Sequence, residues 1–411
     1  VGVVALLAVG CRGPAPNAGA GPYADIVAKD VPLIESEVGV RYKRPPKLEI
    51  RTKDQVRAFV LSQLQDSATQ RDLEGKEMAY KLLGLIPDTL NVRKLFLDLL
   101  TEQILGYYDP RTKVLYVVQG APDDYLGITI MHELVHALQD QYIDLDSLQK
   151  QSGDDDRQAA AQAVIEGEAT YEQMAVTVGG SANLAARLPG GWDRMRDLIR
   201  DSYSSQPIFG EAPMAIQEEL LFPYINGAEF VRRFKEREPK TLPFADMPLS
   251  TEQVMHERAF FAKPRDNPIR VRLPKIDGEA YENTLGEFDT RLVLFEQLQD
   301  QELASRAAIG WGGDRYAVVR TPRGNALVWA SVWDTPVDAA EYVDALGQAV
   351  QRRYRIAAPT ITTGSRTYLG RERTVVVTTR QIGGKDGVLV VDVPNGTSTQ
   401  LADIGHVTAG G

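Results

Sequence analysis

An α+β protein is the fold class that the sequence predicts: a mainly helical N-terminal domain with a small β-sheet edge, then a smaller α+β C-terminal domain. Three observations carry this expectation. Up to about residue 260, apolar residues recur mostly at helical spacing, interrupted by a few short stretches that read as strands. Beyond that point, strand-like runs at 314–321, 326–333, about 366–380 and 387–393 surround a helical stretch at 336–353. Between the two regions lies PRDNPIRVRLP (264–274), whose prolines mark a connector. A chain of 411 residues is long enough for two or three full-sized cores. The expected division is 1–22 as leader and tether, 23–270 as the helical domain and 271–411 as the C-terminal domain.

Taken in order, residues 1–10 (VGVVALLAVG) form an apolar run too short to span a bilayer. Cys11, the single cysteine, follows Ala8-Val9-Gly10. This pattern resembles a bacterial lipoprotein processing site. The resemblance implies that Cys11 is the lipidated first residue of a mature protein held at the membrane outside the cytoplasm. Residues 12–22 (RGPAPNAGAGP) read as a flexible tether. Lys47–Arg51 alternates like a short strand. Thr52 and Gln55 form a capping-box signature for a helix through about Gln65. Helices are expected near 69–84 and 91–105.

The period then switches. GYYDPRTKVLYVVQG (106–120) reads as a hairpin turning at Asp109-Pro110-Arg111, with Val114–Val118 as its second strand. Asp123 or Asp124 is expected to cap a helix over about 124–143. Asp154-Asp155-Asp156 reads as a solvated loop and helix cap ahead of an alanine-rich helix at 157–177. Further helices are expected at 183–203, 212–235, from Ser250-Thr251, and at 284–307. The tail from Asn395 is expected to fray.

Composition narrows the function. Hydrophobic content of 43% and charged content of 25% are those of a globular protein. A net charge of −10, with no Lys/Arg block, argues against nucleic acid as the main partner. If Cys11 is acylated, no thiol is left for a disulfide.

The motif that carries chemistry is His132-Glu133-Leu134-Val135-His136, which holds two of the four histidines. Residues four apart on a helix share a face, so both imidazoles point toward one place. Zinc takes nitrogen and oxygen ligands in tetrahedral geometry, and a catalytic site keeps one position for water. Glu133 is the carboxylate placed to take a proton from such a water. The alternative is an amphipathic helix whose histidines are satisfied as polar core residues.

An extension to HExxHxxGxxH fails, because Gln139 and Tyr142 stand at the Gly and His positions. A carboxylate on a following helix is the other source of a third ligand, and VIEGEAT (164–170) offers Glu166 and Glu168. These two lie about 200° apart around a helix, so only one can face a given metal. HExxH followed by Glu166-Gly167 resembles the gluzincin-type zinc metallopeptidases. The resemblance implies a zincin-like domain with Zn2+ on His132, His136 and Glu166, and Glu133 as general base. It also implies an edge strand before the HExxH helix, here Val114–Val118, that receives the substrate backbone. Asp140 and Thr170 lie on the right faces to orient the ligands.

Related enzymes supply a downstream His or Tyr to the developing oxyanion. His256 is the candidate, with Tyr224 as the alternative. The tail histidine His406 reads as uninvolved. Trp329 and Trp333 read as core packing, with a sugar or partner surface as the other use of such residues. The expected activity is hydrolysis of peptide bonds in a peptide or protein substrate outside the cytoplasm, through a Glu-activated zinc-bound water. The rival readings are a cell-wall amide hydrolase and a non-catalytic, partner-binding surface lipoprotein.

Overall fold

The computed structural model describes residues 21–149, 153–181, 191–402 and 404–410. Residues 1–10, Cys11 and the tether through residue 20 lie outside the described residues. So does the first part of the helix expected at 183–203. The architecture is α+β, with helices dominating the N-terminal region and an antiparallel sheet the C-terminal one.

Helix α1 (Ala24–Val38) leads to β1 (Lys47–Arg51), α2 (Lys53–Leu64), α3 (Ser67–Leu83) and α4 (Val92–Gln103). The Thr52 capping box forms as expected, with Thr52 Oγ1 accepting from Gln55 N–H and Gln55 Oε1 from Thr52 N–H. The hairpin is β2 (Gly106–Asp109) and β3 (Val114–Val118). Its strand order corrects one expectation. β3 is not an edge, because β1 pairs with it in parallel and β2 antiparallel. Its run VLYVV is buried at all five positions, the pattern of a strand covered on both sides. The partner β1 comes from far upstream, a pairing that local spacing cannot reveal. β2 is therefore the edge on the far side from β1.

Helix α5 (Asp123–Gln139) carries the HExxH motif. Pro122 occupies its N-cap, just ahead of the Asp123 and Asp124 expected there. The helix stops four residues short of the expected 143. There Asp140 Oδ1 accepts from Leu145 N–H at 3.2 Å, drawing the chain into a turn before α6 (Leu145–Gln149).

Helix α7 (Asp155–Thr177) is capped by Asp154, which accepts from Arg157 N–H. Asp156, expected in solvent, is instead buried and accepts from Thr251 N–H at 2.8 Å. Burial pushes its carboxyl up to about 8. Next come α8 (Gly191–Ser204), α9 (Pro207–Glu211), α10 (Met214–Arg237), α11 (Thr251–Met255) and α12 (Glu257–Phe261). α7 and α10 cross where Gly167 meets Gly227, backbone against backbone.

The C-terminal region contains β4 (Val271–Arg272), β5 (Glu279–Asn283), α13 (Gly286–Leu298), α14 (Gln301–Ala308), β6 (Trp311–Thr321), β7 (Gly324–Trp333) and α15 (Pro336–Tyr354). It ends with β8 (Thr360–Thr362), β9 (Ser365–Leu369), β10 (Arg373–Ile382), β11 (Lys385–Pro394) and β12 (Thr408–Ala409). Seven strands form one antiparallel sheet in the order β5-β6-β7-β11-β10-β9-β8. Alternate residues sort its two faces. Tyr316, Val318, Leu327 and Trp329 join the helices' core, whereas Ala317, Val319, Val328 and Ala330 pack under Val271 and Val407. The first of these cores runs from Ala79 to Val390 without a break at residue 270.

Three expectations here are corrected. The helix at 284–307 is two, because Asp300 caps a new start by accepting from Leu303 N–H. The strand at 366–380 is two, turned between Gly370 and Arg373. The tail does not fray throughout: β12 pairs with β4, and Val407 is buried.

Candidate metal centre

His132 and His136 sit one turn apart on α5, and their rings meet edge to face at 4.8 Å between centroids. α7 returns alongside and brings Glu166 to the same point. The two Nε2 atoms are 3.2 Å apart, and Glu166 Oε2 is 3.2 Å from one and 3.3 Å from the other. Ligands held tetrahedrally at zinc distances of about 2.0–2.1 Å stand about 3.3 Å from one another. The three atoms thus form one face of a zinc-sized tetrahedron, and the donor set of two imidazoles and a carboxylate suits that ion.

The far side of each ring is fixed by a glutamine. His136 Nδ1 lies 2.8 Å from Gln139 Oε1, and His132 Nδ1 lies 3.2 Å from Gln173 Oε1. The Gln139 amide nitrogen donates to Ile165 O at 3.0 Å and Glu168 Oε2 at 2.8 Å, so its oxygen must face the ring. An amide oxygen only accepts, which places the imidazole proton on Nδ1 and leaves the Nε2 lone pair for a metal. Burial raises the carboxyl of Glu166, but the two imidazoles outweigh it and hold it well below the usual carboxylate range. Burial lowers His136, yet Glu166 carries it up to about 9. A proton and a metal ion compete for that nitrogen.

Glu133 points into the same space. Tyr108 N–H of β2 donates to its Oε2 at 2.7 Å, and burial raises its carboxyl despite the opposing histidines. The strand at the metal is therefore β2, and Gly106 lets it lie close: a methyl there would stand 2.7 Å from Thr129 of α5. Tyr224 of α10 comes from the other side, with its ring 6.2 Å from that of His132. Burial and the charge of Glu166 raise its phenol well above the ordinary value, so it remains a donor.

The remaining candidates lie elsewhere. His256 Nε2 bonds Glu287 Oε1 at 2.8 Å, and the other charges acting on it are Arg291 and Arg233, none of them at the triad. Glu168 is turned under Gln139 and is not a member of the cluster. The Asp140 carboxylate is held by Tyr108 Oη and Lys113 Nζ, each at 2.7 Å, rather than by a histidine ring. Thr170 Oγ1 is buried with no partner. The orienting role expected of Asp140 and Thr170 thus falls to Gln139 and Gln173. A spacing signal existed: Gln173 is seven residues after Glu166, two turns along one face. Trp329 and Trp333 are buried, and Trp311 and Trp329 both donate to Asp314.

A family model described as a domain of unknown function (DUF8575) matches residues 271–403, beyond the triad. Comparisons with curated proteins and with solved structures give no match.

Proposed function

We propose that the chain is a zinc-dependent metallopeptidase of the zincin type, acting on peptide or protein substrates. The observation that carries this reading is the triangle of His132 Nε2, His136 Nε2 and Glu166 Oε2 at 3.2–3.3 Å beside a buried, non-ligating Glu133. Zinc held there would lower the pKa of water toward neutrality and polarise the scissile carbonyl. Glu133, anchored through one oxygen by Tyr108 N–H, takes the proton of the attacking water. It then passes that proton to the leaving amine. The phenol of Tyr224, kept protonated, donates to the developing oxyanion. The outward side of edge strand β2 offers backbone groups to an extended peptide.

Purified protein is expected to carry equimolar zinc and to cleave members of a mixed peptide pool. Chelation should abolish cleavage, and added zinc should restore it. Protein that neither binds zinc nor cleaves any peptide when zinc is supplied would sink the proposal. The site of action, outside the cytoplasm and anchored by acylated Cys11, rests on the pattern of residues 1–11 alone. Expressed in a bacterium, Cys11→Ala protein should leave the membrane fraction. Equal membrane retention would remove that part.

A further inference from the structure

A cavity of about 570 Å³ opens where the start of α7, the connector and the strands β5 and β6 converge. That volume lies within the roughly 300–1,000 Å³ of small-molecule sites. No residue of the metal centre lines it. Arg157 on its wall stands nine residues before Glu166 on α7, about 13 Å along the axis and half a turn around it.

Three arginines line the cavity without a partner. Arg157, Arg270 and Arg272 are exposed, and their guanidinium groups make no hydrogen bond or ion pair among the described residues. Alternation along the extended segment sets Arg270 and Arg272 on one side, opposite the buried Val271. Arg157 stands in the first turn of α7, where the helix dipole already favours negative charge. In a chain with 56 acidic residues against 46 Lys and Arg, acids to pair with these three are plentiful. The acids of the cavity are engaged elsewhere. Asp314 accepts from the N–H groups of Leu285 and Gly286 and from the indoles of Trp311 and Trp329. Asp156 accepts from Thr251, and Asp154 from Arg157 N–H. Glu282 pairs with Arg315, which also donates to Gly153 O at 2.6 Å. The wall is completed by apolar Leu249, Pro268, Ile269 and Trp311.

We infer that this cavity binds a small organic anion, a carboxylate or phosphate on an apolar body, with its charge met by Arg157, Arg270 and Arg272. A guanidinium fork matches either oxyanion, and the apolar wall receives the body. The helical region supplies Arg157 and Leu249, and the C-terminal region supplies Arg272 and Trp311. A bound ligand therefore bridges the two and stabilises the chain that holds it.

The test uses the full chain and anilinonaphthalene sulfonate, an anion on an aromatic body. It should bind at one site per chain and take energy from Trp311, which lines the cavity. Naphthoate and naphthyl phosphate should displace it, and their relative strength identifies the preferred head group. Naphthol has the same body without the charge and should compete at least about tenfold less well. The double variant Arg270→Ala/Arg272→Ala changes two exposed side chains and should weaken the probe at least about tenfold with Tm unchanged. Arg157→Ala should weaken it from the other wall. A wild type without single-site binding would overturn the inference, as would naphthol competing as well as the anions. So would a double variant that binds like the wild type. A His132→Ala/His136→Ala chain should bind the probe unchanged, so the result stands apart from the peptidase reading. Loss of the probe in that chain would place it at the metal centre and remove the cavity as its site.

Discussion

Glu133→Gln is expected to lower peptide cleavage about a thousandfold while the protein keeps its full complement of zinc. The two readouts separate because Glu133 adjoins the metal ligands without being one. The triangle is closed by Glu166, and Glu133 is held apart from it by the backbone N–H of Tyr108 at 2.7 Å. A glutamine keeps the shape and can still accept that bond through its amide oxygen, so the site should survive. What it loses is the capacity to take a proton from water and deliver it to the amine. Two companion substitutions locate the oxyanion donor. Tyr224→Phe should slow turnover by about a hundredfold with zinc retained. His256→Ala should leave turnover near wild type, because its ring is committed to Glu287. The measurement is kcat on one cleaved peptide, with zinc content measured on the same samples. A Glu133→Gln protein that turns over at the wild-type rate would falsify the proposed proton transfer.

These contrasts also show which parts of the site are legible in a sequence. HExxH and Glu166-Gly167 are readable because helix geometry converts spacing into direction, and the fold then has only to bring two helices together. Everything set by distant pairing is hidden. Val114–Val118 has the composition of a strand, yet nothing local says that Lys47–Arg51 will cover its open side and make Gly106–Asp109 the edge. His256 drew attention as a scarce residue type in the right stretch. Its place is fixed by α13, whose Glu287 lies 31 residues downstream and captures the ring. Tyr224 stands second to His256 in the sequence, and it is the crossing of α7 with α10 that brings its ring to His132. Gln139 drew notice only as the residue that broke a longer motif. Its role emerges once Glu168 and Ile165 O fix the amide's orientation.

The largest stability effect is expected at that helix crossing. A methyl group on Gly167 would fall within contact distance of the Gly227 carbonyl, and one on Gly227 would overlap the Ala163 carbonyl. Both obstacles are backbone, which no rotamer change can move aside, so the helices must separate. Alanine gains roughly 1 kcal/mol over glycine in a helix interior. Overpacking a tight interface costs about 1–3 kcal/mol and more when nothing yields. The clash therefore outweighs the propensity, and Gly167→Ala or Gly227→Ala should destabilise the chain by about 2 kcal/mol or more. The damage should reach the metal centre. Glu166 precedes Gly167 on α7, and Tyr224 lies one turn before Gly227 on α10, so spreading the pair pulls both from the histidines. Zinc affinity should fall with stability in the same variants. Gly127 supplies the control: it lies in α5, and nothing stands within 4 Å of a methyl placed there. Gly127→Ala should leave zinc affinity unchanged and stabilise the protein by about 0.5–1 kcal/mol. Denaturant melts and competitive zinc titrations on the three variants decide the matter. If Gly167→Ala matches Gly127→Ala in both, close backbone approach is not what sets Glu166 at the metal.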